Sequence, residues 1–204
     1  MNPYISLGKV KINVFSYVFL LILYFFNGPY YIGLIIFSSF LHELGHLFAC
    51  FYWGAELEEV YVSFLGARIV LKENLSSYKQ DMLIYLFGIL FSLISCIVFL
   101  FLFLSFKSSL FFDLCFCNLF LFSFNALPII SLDGGNVLYC FLCMKTELDT
   151  AITATSAISV FFCALLFILG FFLLKISNYN FSLLIIATYL LFSVNKKSYV
   201  GFPT

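Results

Sequence analysis

Charged side chains make up only 10% of the 204 residues, ten Lys and Arg against ten Asp and Glu. With a net charge of zero and no basic stripe interleaved with aromatics, the sequence has no electrostatic footprint for nucleic acid, which is excluded as a partner. Histidine is scarcer still, at two in the whole chain, so a metal site cannot draw three imidazoles from it. Four prolines and no low-complexity tract leave no linker between domains, and no internal repeat is evident. The longest polar connections are residues 54–81 and the short stretches after 144 and 194. None can hold a folded soluble module, so a single membrane-embedded domain over residues 1–204 is expected.

What the chain has in abundance is apolar surface: 64% hydrophobic residues, thirty of them Phe, and a mean hydropathy of +1.11. A soluble globule of this composition would have almost nothing polar to show water, so the lipid bilayer is its expected environment. A membrane-crossing helix needs about 20 apolar residues. Runs of that kind lie at residues 13–28, 30–53, 82–104, 109–127, 152–174 and 180–194. The expected fold class is an all-α polytopic membrane protein of about six transmembrane helices, with a catalytic core at about residues 30–145 and flanking helices at 13–28, 152–174 and 180–194.

The seven cysteines, Cys50, Cys96, Cys115, Cys117, Cys140, Cys143 and Cys163, sit almost entirely inside apolar runs, where cysteine behaves as a small hydrophobe. Cys140 and Cys143 form one CxxC without a second pair at zinc-site spacing, so packing is the simpler reading. The first apolar run follows Lys9 and Lys11 but ends in Phe26-Asn27-Gly28-Pro29 without a small-x-small cleavage site, which predicts a retained anchor. Abundant Phe, Ile, Leu, Lys and Asn match the usage of an AT-rich bacterial genome.

Counting basic residues across six spans puts Lys9, Lys11, Arg68, Lys72, Lys79, Lys145, Lys196 and Lys197 on one face and only Lys107 and Lys175 on the other. By the positive-inside rule the richer face is cytoplasmic. This predicts a multi-pass protein of the bacterial cytoplasmic membrane with both termini inside. Between the second and third spans, residues 55–64 and 67–72 flank Leu65-Gly66 with β-branched and aromatic residues in loose alternation, which predicts a small β-hairpin. An amphipathic surface loop is the plainer alternative. The fourth span ends at Asn125-Ala126-Leu127-Pro128, and Asp133-Gly134-Gly135 follows, so the backbone should be interrupted near membrane depth.

Ionisable groups inside a bilayer are costly and ask for a reason. His42, Glu43 and His46 lie mid-run in Leu41-His42-Glu43-Leu44-Gly45-His46-Leu47. The two histidines stand four apart, hence on one face of a helix, where neutral imidazoles can share one tetrahedral zinc. The Glu beside the first can serve as general base on the attacking water. Two hydrogen-bonded core histidines with a protonated Glu43 would be the bland reading, but the combined HExxH pattern favours metal. A catalytic zinc takes three protein ligands, and with no third His a Cys or carboxylate must complete the set. Asp81 and Asp113 sit at span ends, where water or headgroups account for them. Asp133 sits in the interrupted backbone, which approaches the same cytoplasmic side as the HExxH helix.

His42-Glu43-Leu44-Gly45-His46 together with Asn125-x-x-Pro128-x-x-x-x-Asp133-Gly134 resembles the site-2 protease family of intramembrane zinc metalloproteases, whose two signatures are HExxH and NxxPxxxxDG. The resemblance covers about residues 30–145. It implies one zinc ion held by His42, His46 and Asp133, with Glu43 as the catalytic base and Asn125 at the active site holding substrate or the oxyanion. A Gly-x-x-x-Asn motif frequent in the following span stands here as Gly88-x-x-x-Ser92, and the PDZ and CBS modules of some relatives are absent.

The implied activity is zinc-dependent endoproteolysis within or near transmembrane segments of membrane-protein substrates. The chain is similar to the small sporulation-type members that release a sigma factor. Residues 55–72 could hold an unwound substrate by adding a strand to it. A metal transporter would need a polar relay through the membrane, which the third, fifth and sixth runs do not offer. A catalytically dead scaffold sits poorly with an intact Glu43.

Overall fold

In hydrocarbon every backbone N–H and C=O must find its partner within the protein, which leaves uninterrupted apolar runs little choice but the helix. The computed structural model describes residues 4–7, 10–53, 57–63, 66–71, 77–176 and 181–200, with side chains at 28–53, 77–176, 181 and 183–194. Its elements are β1 (Tyr4–Leu7), β2 (Val10–Asn13), α1 (Val14–Tyr52), β3 (Leu57–Ser63), β4 (Gly66–Leu71), α2 (Tyr78–Phe106), α3 (Ser109–Asn125), α4 (Asp133–Cys143), α5 (Leu148–Ile176) and α6 (Ser182–Val200).

The expected fold class needs correction on two counts. Among the described residues only three helices are long and apolar enough to cross a membrane, Gly28–Tyr52, Tyr78–Phe106 and Leu148–Ile176, in place of about six. The other count is the small β-hairpin between the second and third runs. Wherever side chains are described, every regular element is a helix. The backbone of 57–63 and 66–71 belongs instead to a four-stranded sheet of order β1-β2-β3-β4, in which β2 runs parallel to β3. Local alternation flags two neighbouring strands, but it cannot foresee that Tyr4–Leu7 and Val10–Asn13, next to the first apolar run, supply the other half of a sheet.

The helices depart from the apolar runs for identifiable reasons. The first two runs lie end to end in α1 as two helices that meet at a kink, where Gly28 takes φ 75° and ψ 169° just before Pro29. A capping box opens α2, with the Gln80 N–H on Ser77 Oγ at 3.3 Å and the Ser77 N–H on Gln80 Oε1 at 3.0 Å. This satisfies two of the amides that a helix start leaves unpaired. Its other end closes on Lys107 in the left-handed region. Helix α3 has 17 residues and so is about 25 Å long, short of the roughly 30 Å hydrocarbon core.

The chain then turns inside the protein before α4 begins at Asp133. Ile129 and Ile130 in this turn are fully buried and pack with Leu132, Cys163, Leu190 and Val194. Ser159 of α5 clasps it: its hydroxyl donates to the Thr155 carbonyl of its own helix at 2.7 Å and its oxygen accepts from the Ile130 N–H at 3.0 Å. The irregular backbone is thereby wrapped in protein, the condition under which a bilayer would tolerate it.

Burial runs opposite to that of a water-soluble protein. Phe101, Phe161, Phe172 and Phe192 face outward, while Ser38, His42, His46, Ser92, Asn118, Asn125, Thr155 and Ser159 are buried. An apolar exterior around a polar interior suits lipid. Helix α2 lies at the centre, packed against α1, α3 and α4, and α5 packs on α4 and α6. The Asn118 amide donates to Ser38 Oγ at 3.0 Å, tying α3 to α1 one turn before His42.

Candidate metal centre

Two antiparallel helices in contact match residues in descending order on one with ascending order on the other, and the α1–α2 seam is built this way. Ala49 and Cys50 pack with Ile84, His46 lies against Gly88, and His42 meets Ser92. Gly88 is the position that lets the helices close, since a Cβ there would overlap the His46 ring. Both imidazoles are thus buried at 5% and 4% exposure.

Each ring is held by its Nδ1. That of His46 lies 2.9 Å from the Ile84 carbonyl, which can only accept, so Nδ1 carries the proton and Nε2 is bare. That of His42 lies 2.8 Å from Ser92 Oγ. The Ser92 hydroxyl points back to the Gly88 carbonyl at 3.4 Å, the usual direction for a serine inside a helix, and this leaves Oγ to accept from Nδ1–H. Both Nε2 atoms then face the same point.

The third group arrives from the buried turn. Gly134 and Gly135 allow α4 to start hard against it: a Cβ on Gly134 would lie 2.5 Å from the Ala126 carbonyl, and one on Gly135 would strike Ile129. Asp133, the first residue of α4, is thereby set beside α1, its Oδ2 2.9 Å from His42 Nε2 and 3.3 Å from His46 Nε2. The two Nε2 atoms are 3.3 Å apart.

These three atoms fit a metal ion. Zinc bonds of about 2.0–2.1 Å in a tetrahedron place ligand atoms roughly 3.3 Å from one another, close to the separations found. A proton on one Nε2 would satisfy a single pair and leave the third acceptor facing another lone pair. A cation at the centre serves all three. His42, His46 and Asp133 form the group among the described residues that could hold a metal ion.

Asn125 and Glu43 are placed differently. Glu43 follows His42 on α1 and is half-buried. Asn125 closes α3, buried, with its Nδ2 donating to the Leu121 carbonyl of its own helix at 3.1 Å. No hydrogen bond among the described residues joins it to the three ligand candidates. Of the other acids, Asp81 opens α2 and Asp113 accepts from Tyr30 OH at 2.9 Å. All seven cysteines are free thiols, and Cys140 packs with Tyr139 and Ala151. The partners of the Nδ1 atoms, Ser92 and Ile84, escape a reading of local motifs, although Gly88-x-x-x-Ser92 was the available signal.

No protein-family model matches the sequence, and no curated protein matches it. Among solved structures the chain is similar to the Site-2 Protease from Methanocaldococcus jannaschii, at 22% identity and a TM-score of 0.72. The alignment covers 98% of this chain and 96% of that one. The chain therefore has the site-2 protease fold, with two histidines and an aspartate gathered where α1, α2 and α4 meet.

Proposed function

We propose that this protein is an intramembrane zinc metalloprotease that hydrolyses peptide bonds within or near the transmembrane segments of other membrane proteins. The observation that carries the reading is the convergence of His42 Nε2, His46 Nε2 and Asp133 Oδ2 within 3.3 Å of one another, inside a helical body whose outer faces are apolar. The fold shared with a site-2 protease supports it independently.

A zinc ion held by these three residues supplies Lewis acidity, polarising the scissile carbonyl and making water nucleophilic near neutral pH. The chain's own residues do the rest. Glu43, next to His42 in sequence, takes the proton of the attacking water and later returns it to the leaving amine. Asn125 uses one amide hydrogen on the Leu121 carbonyl and has a second to offer the substrate carbonyl, where a donor stabilises developing negative charge.

His46 is six residues from the end of α1 at Tyr52, about 9 Å along the helix, so the site lies near one membrane face. Arg68 and Lys72, in the segment that follows α1, favour the cytoplasmic side of a bacterial membrane for that face, with the whole chain acting as one protease domain. The partner is a membrane protein with a transmembrane segment. Co-reconstitution with a candidate single-span substrate tests the reading: cleavage should occur with the intact protein and stop when a chelator removes the metal. Cleavage that persists without metal would overturn it.

A further inference from the structure

We propose that Ser92 is a positioning residue of the metal centre, holding His42 in the tautomer and rotamer that present Nε2 to the metal. The proposal rests on the metal reading above and extends it to a residue on a helix that carries none of the three ligand candidates.

The geometry is specific. Ser92 is fully buried, and its Oγ stands 2.8 Å from His42 Nδ1. The two residues meet across the α1–α2 seam, one helical turn from the contact of His46 with Gly88. A neutral imidazole carries its proton on one nitrogen or the other. Were it on Nε2, His42 would turn an N–H toward the ligand group, and Nδ1 would be a bare acceptor facing Ser92. In the arrangement where the Ser92 hydroxyl is directed to the Gly88 carbonyl at 3.4 Å, Oγ accepts from Nδ1–H and Nε2 is left bare toward the ligand group. His46 is fixed in the same tautomer by a different device, the Ile84 carbonyl, so the two histidines depend on separate partners.

The choice of a hydroxyl also has an electrostatic reason. A carboxylate is a common partner for the outer nitrogen of a metal-bound histidine. With a dication bound, ionised Asp133 and the neighbouring Glu43 would together balance its charge, and a third carboxylate would leave net charge inside an apolar body, where charge is costly. Serine orients the ring without adding any. It is also small enough for α1 and α2 to stay close.

The test uses the purified full-length chain in lipid nanodiscs, with Zn2+ and Co2+ each as the sole probe, titrated against a chromophoric chelator. Ser92→Ala removes one buried oxygen and should lower metal affinity about 10- to 100-fold, the usual range for such outer partners. It should also shift the visible absorption of the cobalt form. Ser92→Thr keeps the hydroxyl and should stay within about threefold of the wild type on the same scale. Thermal unfolding of the metal-free chain separates roles: a merely structural Ser92 would lower that transition and leave metal affinity unchanged. Wild-type affinity in Ser92→Ala would overturn the proposal while leaving the metal reading standing. A wild-type chain that binds neither ion would overturn both.

Discussion

His46 lies so close to Gly88 that a single added methyl on α2 would occupy the space of its ring. The glycine is therefore a spatial requirement of the metal centre, and the neighbouring bond of His46 Nδ1 to the Ile84 carbonyl leaves the ring no easy retreat. Gly88→Ala should lower zinc affinity at least about tenfold, as displacement of a ligand's support does. Gly33→Ala is the matched control. A Cβ at Gly33 meets nothing within 4 Å, and alanine in place of a helical glycine stabilises by roughly 0.5–1 kcal/mol. Metal titration of both variants checks the contrast.

Asp133 stands in contact with both histidines, so its removal should cost as much metal binding as removal of either. Metal analysis of the purified chain should give close to one zinc per chain for the wild type. His42→Ala, His46→Ala and Asp133→Ala should each fall to a small fraction of that. Full occupancy in Asp133→Ala would strike it from the ligand set.

Ser159 holds the turn that delivers Asp133 by accepting from the Ile130 N–H. Ser159→Ala should destabilise the chain by about 1 kcal/mol, the net worth of a typical hydrogen bond. It should also weaken metal binding, because α4 would start from a looser turn. Denaturant titration in mixed micelles measures the first effect, and chelator competition the second.

The ligand candidates were legible in the sequence because their chemistry is local or scarce. His42 and His46 are the two histidines and stand one helical turn apart, and Asp133 follows a proline break that apolar composition cannot hide. The helical runs were legible too, since hydropathy reports apolar length. Gly28-Pro29 reads as a separator, and the helix does break there at a non-helical Gly28; what hydropathy does not report is how directly the two pieces are joined. Asp133-Gly134-Gly135 reads as a turn, yet it is the first turn of α4. Its glycines serve close packing on the 126–130 backbone. Ser92 and Ile84 were not legible as partners of the histidines, because contacts across a helix seam depend on register, and register is set by packing that no local pattern records.

The basic residues predict that the strands between α1 and α2 face the cytoplasm. Glu58→Cys, introduced into a chain whose native cysteines are replaced, should resist a membrane-impermeant thiol reagent in intact cells and react after lysis. Labelling from outside would reverse the assigned orientation.

The central claim is hydrolysis by a metal centre whose base is Glu43. Glu43→Gln keeps the side chain's size and removes a charge from the membrane interior, so fold and zinc content should be retained. The amide cannot take a proton from water. The most direct measurement is therefore the cleavage rate of a single-span substrate co-reconstituted with wild type or Glu43→Gln, with zinc content determined on the same samples. The account predicts equal zinc and a rate lower by at least about 10²-fold, the low end of what a general base contributes. Equal zinc and an undiminished rate would contradict it.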